Sequence, residues 1–226
     1  MTVEKDNMLL VNNRGALDYY EMYVSGYYVN IDRNNGTFYW DHDDNRFIIK
    51  MDNTTVKKAK RIIKKELKTN FTFGFNTASL PVLDHLQDNN IKNNTWLNDK
   101  IRAVYEELLH NKLAFTLEAF YDGDLVGGLF GIPIGGVITI DTMYGIPSPP
   151  EMKSASKALF CHAILEMNKI GIHTIDVETP HHSNHPCFRL GETEITFMKF
   201  RTLLKEQENK EPSLLYDHFN KVWGAN

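Results

Sequence analysis

The chain has 226 residues, 42% of them apolar and 24% charged, with a formal net charge of −4. That composition fits an ordinary globular protein of one large domain, with or without a small appendage. It excludes a uniformly basic nucleic-acid binder, so any such binding must come from a local patch. The two cysteines, Cys161 and Cys187, are far apart and in no paired motif, as in a reducing compartment with no disulfide framework. The opening MTVEKDN does not read as a signal peptide, and no apolar run approaches the roughly 18 residues of a membrane span. The expected location is cytoplasmic.

Residues 1–50 hold short aromatic-rich pieces, expected to form a small N-terminal α+β domain that leans on a larger one over 51–226. "LDYYEMYVSGYYVNI" predicts a short helix or turn ending near Gly26. "GTFYWD" and "RFIIKM" predict two strands around "DHDDN", a hairpin-like turn. "TTVKKAKRIIKKELKTN" predicts a helix, with Val56, Ala59, Ile62, Ile63 and Leu67 on one face and Thr54 or Thr55 as N-cap. "NDKIRAVYEELLHNK" predicts another, capped by Asn98 or Asp99. "AFTLEAFY" and "DLVGGLFGI" predict a hairpin turning at Asp122-Gly123, and Gly127-Gly128 marks a bulge or a close backbone approach. "GGVITIDTMY" is a third strand, "SASKALFCHAILEMNKIG" a helix closed by Gly171, and "HTIDVE" a fourth strand. "EITFMKFRTLLKEQ" closes the globular part. The order implies an α/β (α+β) fold, a mixed sheet flanked by helices. The strand–helix–strand crossover should leave the third and fourth strands parallel neighbours, and an opening between such strands is where α/β sheets hold ligands.

Asp176 and Glu178 fall on one face of the fourth strand, because side chains alternate there. Like charges side by side cost stability unless something uses them. One reading is a wet strand face. The other is a cleft in which crowded carboxylates act as acid/base groups. Asp141 stands in an otherwise apolar strand and could face the same cleft. Lys57, Lys58, Lys60, Arg61, Lys64, Lys65 and Lys68 form a basic helix face, either merely solvated or set to track a phosphate backbone. Trp96 is either a core anchor or a stacking platform for a base. His181, His182, His185 and Cys187 lack the paired spacing of a metal motif, so no metal is expected. No phosphate-binding glycine loop of either common type is present.

Several of these motifs, in order, resemble the leucyl/phenylalanyl-tRNA–protein transferase family. They are Leu125 to Gly131, Asp141-Thr142-Met143-Tyr144-Gly145, Ala155-Ser156-Lys157 and Ile175-Asp176-Val177-Glu178, with "NTWL" upstream. The family has Glu at the position of Asp141 and Gln at that of Glu178. Asn30 stands where the family has a Trp that stacks on adenosine. The resemblance implies a GNAT-like domain. It implies transfer of a Leu, Phe or Met residue from aminoacyl-tRNA to a protein N-terminus that begins with Arg or Lys, tagging it for degradation. "GIPSPPEMK" is a poor cradle for coenzyme A, and no cofactor is expected. By resemblance, Asp176 and Glu178 orient and deprotonate the amine, and Trp96 stacks on the terminal adenosine. Met143 and Tyr144 wall the pocket for the transferred side chain, and Asp141 meets the acceptor's positive group. Lys57, Lys60, Arg61, Lys64 and Lys65 hold the acceptor stem. A monomer without membrane attachment is expected. Two rivals remain at this stage, a GNAT-like N-acyltransferase with another activated donor and a non-catalytic tRNA- or N-terminus-binding paralogue.

Overall fold

The computed structural model describes residues 9–10, 15–32, 37–67, 70–92, 97–146, 154–179, 185–207 and 213–224. The chain runs β1 (Leu9–Leu10), α1 (Ala16–Val24), β2 (Tyr28–Asp32), β3 (Thr37–Asp41), β4 (Asn45–Lys50), α2 (Asn53–Glu66), β5 (Thr72–Phe75), α3 (Ser79–Lys92) and α4 (Asp99–His110). It continues β6 (Phe115–Tyr121), β7 (Asp124–Ile134), β8 (Val137–Gly145), α5 (Ala155–Lys169), β9 (Thr174–Asp176), α6 (Pro186–Leu190), β10 (Thr193–Thr196), α7 (Phe197–Gln207) and α8 (Ser213–Trp223).

A seven-stranded mixed sheet has the order β10-β4-β9-β8-β7-β6-β5. Its side chains alternate between two cores. Ile49, Leu129, Ile138 and Ile175 pack under α2 and α5, while Ile48, Phe130, Ile132 and Val137 pack under α1, α3, α4 and α7. The third and fourth expected strands, β8 and β9, are indeed parallel neighbours. They pair only from Val137–Thr174 to Thr139–Asp176. Beyond that point Val177 N–H donates to the Phe47 carbonyl at 2.9 Å and Phe47 N–H to the Glu178 carbonyl at 3.2 Å. The chain therefore stays on β4 and leaves β8, and the sheet splays open.

The expected hairpin around "DHDDN" does not form. β3 pairs with β1 and β2 in a separate three-stranded sheet, and β4 lies between β10 and β9 in the large one. The reason is burial: Ile48 and Ile49 face opposite cores and both are buried, as in an interior strand. β4 thus falls within the 1–50 segment but builds the larger sheet. The cap of α2 is Asp52, whose Oδ1 accepts Thr55 N–H at 2.8 Å, rather than Thr54 or Thr55. Asn98 caps α4 as expected. The Gly127-Gly128 pair is a close approach. A Cβ on Gly128 would sit 2.7 Å from Tyr144 Cε1 and 2.8 Å from Val82 Cγ2. Gly128→Ala is therefore expected to destabilise the chain by about 1–3 kcal/mol through overpacking. Its urea midpoint should fall without loss of the slope, and an unchanged midpoint would refute the contact.

Candidate functional site

The splay gathers three carboxylates around one guanidinium. Arg46 on β4 is 2% exposed and Asp176 on β9 is fully buried. Arg46 Nη2 donates to Asp176 Oδ2, and Arg46 Nε donates to Oδ1 at 3.3 Å. Oδ1 also accepts the backbone N–H of Glu178 at 3.0 Å. Both oxygens of Asp176 are thus engaged. The guanidinium lies between two rings, 5.3 Å from the Tyr28 centroid and 5.0 Å from that of Phe200. Burial alone would make it a weaker cation, but Asp176 and Glu178 raise its affinity for the proton above the ordinary Arg value.

Asp141 enters from β8 through a bulge. Phe130 pairs with Thr142 and Gly131 with Ile140, so Asp141 has no partner on β7. An extra residue of this kind re-aims a side chain. Its carboxyl accepts Tyr23 Oη–H from α1 at 2.7 Å and Tyr105 Oη–H from α4 at 2.9 Å. Burial raises the Asp141 pKa to about 6, against the pull of the two hydroxyls and Arg46.

Glu178 is placed by an unusual backbone, with φ at +62°. For a residue with a Cβ this left-handed conformation costs roughly 1–2 kcal/mol, and such outliers gather at functional sites. Its carboxyl is 18% exposed and stands 3.7 Å from Arg46 Nη2. Its Oε1 has no hydrogen-bond partner among the described residues. Burial pushes the Glu178 pKa well above the carboxylate range. Arg46 opposes that shift, while Asp141, Asp176 and Asp43 add to it.

The acids expected at one cleft, Asp141, Asp176 and Glu178, are therefore together, and Asp176–Glu178 is not a wet face. The remaining expected residues are dispersed. Met143 packs with the core under α5 and Tyr144 with the core under α3 and α4, on opposite faces of the sheet. Tyr144 sits against Val82 and the His85 ring, 5.1 Å away. Lys57, Lys60, Arg61, Lys64 and Lys65 are all exposed on α2, on the other face of the sheet from the acids. Trp96, Lys68, His181 and His182 lie outside the described residues. His185 serves as the cap of α6, its Nδ1 accepting Cys187 N–H at 3.3 Å. The Asn30 amide donates to Asp41 Oδ2 at 3.1 Å. No group of three metal-ligating side chains occurs among the described residues.

Sequence reasoning missed Arg46, Tyr23, Tyr105 and the Tyr28–Asp43 pair, whose Oη–Oδ2 distance is 3.0 Å. A signal existed for two of them. Arg46 opens a run that is apolar on both faces, and Tyr23 shares a helical stripe with Ala16 and Tyr19.

The family described as leucyl/phenylalanyl-tRNA protein transferase matches residues 48–205. A protein of that name from Prosthecochloris aestuarii is 29% identical over 166 residues, covering 73% of this chain and 82% of the relative. One from Gloeobacter violaceus is 24% identical over 185 residues, covering 82% and 89%. Among solved structures, FemX superposes with a TM-score of 0.52 at 8% identity, over 72% of this chain and 64% of FemX. That likeness concerns the fold alone, a mixed sheet flanked by helices. The matched segment runs from β4 to α7 and carries all three carboxylates of the splay. The chain belongs to the leucyl/phenylalanyl-tRNA protein transferase family of aminoacyltransferases.

Proposed function

We propose that the chain transfers an amino acid of the Leu, Phe or Met class from aminoacyl-tRNA to the α-amine of a protein beginning with Arg or Lys, marking that protein for degradation, and that it works as a monomer. One observation carries the mechanism. Of the three carboxylates at the splay, Asp176 and Asp141 have both oxygens hydrogen-bonded, while Glu178 has one, the buried Oε1 facing Arg46, without a hydrogen bond among the described residues, on a side chain that is 18% exposed.

An aminoacyl ester is already activated, so the protein mainly has to position it beside the amine. The attacking amine must be neutral, and a free α-ammonium has a pKa of about 7.7–8.0. Only the ionised form of Glu178 can take a proton from it, so transfer needs a pH at which this buried carboxyl has lost its own. The nitrogen lone pair then attacks the ester carbonyl carbon, the C–N bond forms, and the C–O bond to the ribose breaks. The ribose oxygen leaves and takes up the second proton lost by the attacking nitrogen. Asp176, locked by Arg46, holds the Glu178 backbone through its N–H and so aims the base. The site carries three acids and one cation, which suits an acceptor bringing positive charge. Asp141, held by two tyrosines, is the anion expected to meet it. The exposed cations of α2 supply a field for the phosphates of the acceptor stem. No helix among the described residues is long and apolar enough to cross a membrane.

The direct experiment offers tRNA charged with labelled Leu, Phe or Met to peptides starting with Arg, Lys, Asp, Glu or Ala. Label should pass to the Arg and Lys peptides, and Asp176→Ala should abolish it. Salt-sensitive tRNA binding with no label in any pairing would make the chain a binding protein. Label that passes only from another acyl donor would make it a different N-acyltransferase.

Glu178→Gln has a second, opposite signature. Loss of the base should lower the transfer rate by about 100-fold or more at pH 8. The Glu178 pKa is raised in the folded chain, so the folded state holds a proton that the unfolded chain has released above its ordinary pKa of about 4.3. Stability from this group is therefore lost as pH rises from that value through the folded one. Glu178→Gln removes the penalty and should flatten the fall in stability between pH 5 and 8, read by urea denaturation. A variant less stable than wild type at pH 8 would refute the placement of this carboxyl.

A further inference from the structure

The face of the sheet away from the carboxylates bears a groove of about 380 Å³, within the size range of small-ligand sites. Ile63 and Leu67 of α2 form one wall. Phe71 and Phe73, just before and within β5, form another, and His162 of α5 closes it. The His162 ring lies 4.7 Å from Phe73 at an interplanar angle of 35°, and Trp223 backs Phe73 at 5.3 Å. Asn70 at the rim offers an amide that can both donate and accept. None of the described lining residues is Asp or Glu.

The α2 side of the groove carries exposed cations, while Glu166 stands one turn beyond His162 on α5. Lys60 and Lys64 stand three residues before Ile63 and Leu67, so each is a helix-surface neighbour of a lining side chain. Both are exposed. Aromatic rings set beside cations are the chemistry of single-stranded nucleic acid. Bases stack on the rings and phosphates meet the charge. An apolar peptide side chain would have no use for the lysines. Burial lowers the His162 pKa, with Glu166 opposing, so the ring is neutral near pH 7 and can both stack and hydrogen-bond.

The groove and the carboxylates also open toward the same end of the sheet. Through the antiparallel registers Phe73 lines up with Ala119, Gly127 and Gly145, at the end of β8 toward which the strands part after Thr139–Asp176. Four strand spacings separate β5 from β9, about 19 Å. Resting on the RNA-dependent function proposed above, we infer that the Phe73–His162 groove receives an unpaired nucleobase of the RNA whose end reaches the splay. The phosphate beside that base sits between Lys60 and Lys64.

The test uses the full chain and two hairpin RNAs, one with four unpaired 3′ nucleotides and one blunt. 2-Aminopurine replaces each unpaired base in turn. One position should be quenched on binding. His162→Ala should remove that quench and weaken the overhang hairpin by roughly tenfold, the scale of one stacked base, with blunt-hairpin affinity unchanged. Phe73→Leu, which keeps an apolar side chain but not the ring face, should do the same. Equal weakening of both hairpins would mean a structural role and overturn the inference. So would a wild type that binds both hairpins with no position quenched. A His162→Ala variant that keeps both affinities but loses acceptor-peptide binding would assign the groove to a protein side chain. Failure of wild type to bind either hairpin or charged tRNA would remove the proposed function itself, an outcome separate from the loss of quench alone.

Discussion

Arg46 is the charge that the site cannot do without. It is nearly inaccessible to water, and an ion in that position is tolerated only when paired and hydrogen-bonded. Its pair, Asp176, is equally buried and comes from a strand far along the chain. Removing either partner would strand the other, at a cost of about 3–5 kcal/mol. The same cation restrains Glu178 and faces Asp141. The rings that cover it tie in two further elements, because Tyr28 belongs to the small sheet and Phe200 to α7. The small sheet is therefore joined to the site through a side chain. α1 is joined as well, through the bond from Tyr23 to Asp141.

Two backbone irregularities aim the acids across the splay, and neither is regular strand. The bulge turns Asp141 toward the tyrosines, and the left-handed residue at 178 turns the chain after it has left β8. An uninterrupted pair of parallel strands would have closed the gap with hydrogen bonds. Both devices weaken local pairing, and the structure offsets them with long-range contacts. The Tyr23–Asp141 bond spans 118 residues and the Arg46–Asp176 bond 130.

Those spans explain what the sequence could and could not tell. Period-2 alternation placed Asp176 and Glu178 on one face of a strand; the two are together, but β9 ends at Asp176 and a left-handed residue, not strand alternation, sets Glu178. Strand–helix–strand order was enough to make β8 and β9 parallel. Helical spacing found α2, α4 and α5. Local pattern is blind to a partner 130 residues away, so nothing in it singled out Arg46. It was also too weak for β5, which has four residues, and for α3, whose apolar stripe is interrupted by polar side chains. The "DHDDN" turn failed for a related reason. Turn chemistry was judged at the loop, whereas the fate of β4 is decided by Ile48 and Ile49, each seeking a different core. The family resemblance supplied roles that spacing alone left open between a wet face and a cleft.

The sheet itself sets the last constraint on function. The exposed cations of α2 lie on one face and the carboxylates on the other. A seven-stranded sheet with both faces packed has no route through it except where strands part. On the proposed reading, RNA held by α2 and an amine held by the acids must therefore meet at the gap between β8 and β9. Only the end of the RNA, an extended and unpaired segment, is thin enough to enter. The duplex has to stay outside, where its phosphates face lysines instead of carboxylates. That geometry also separates the charges. Negative phosphate is kept from three acids that would repel it, and the positive acceptor is kept from the lysines. A site that crowds like charges at a cost in stability is then consistent with a substrate pair of opposite charge arriving from opposite faces.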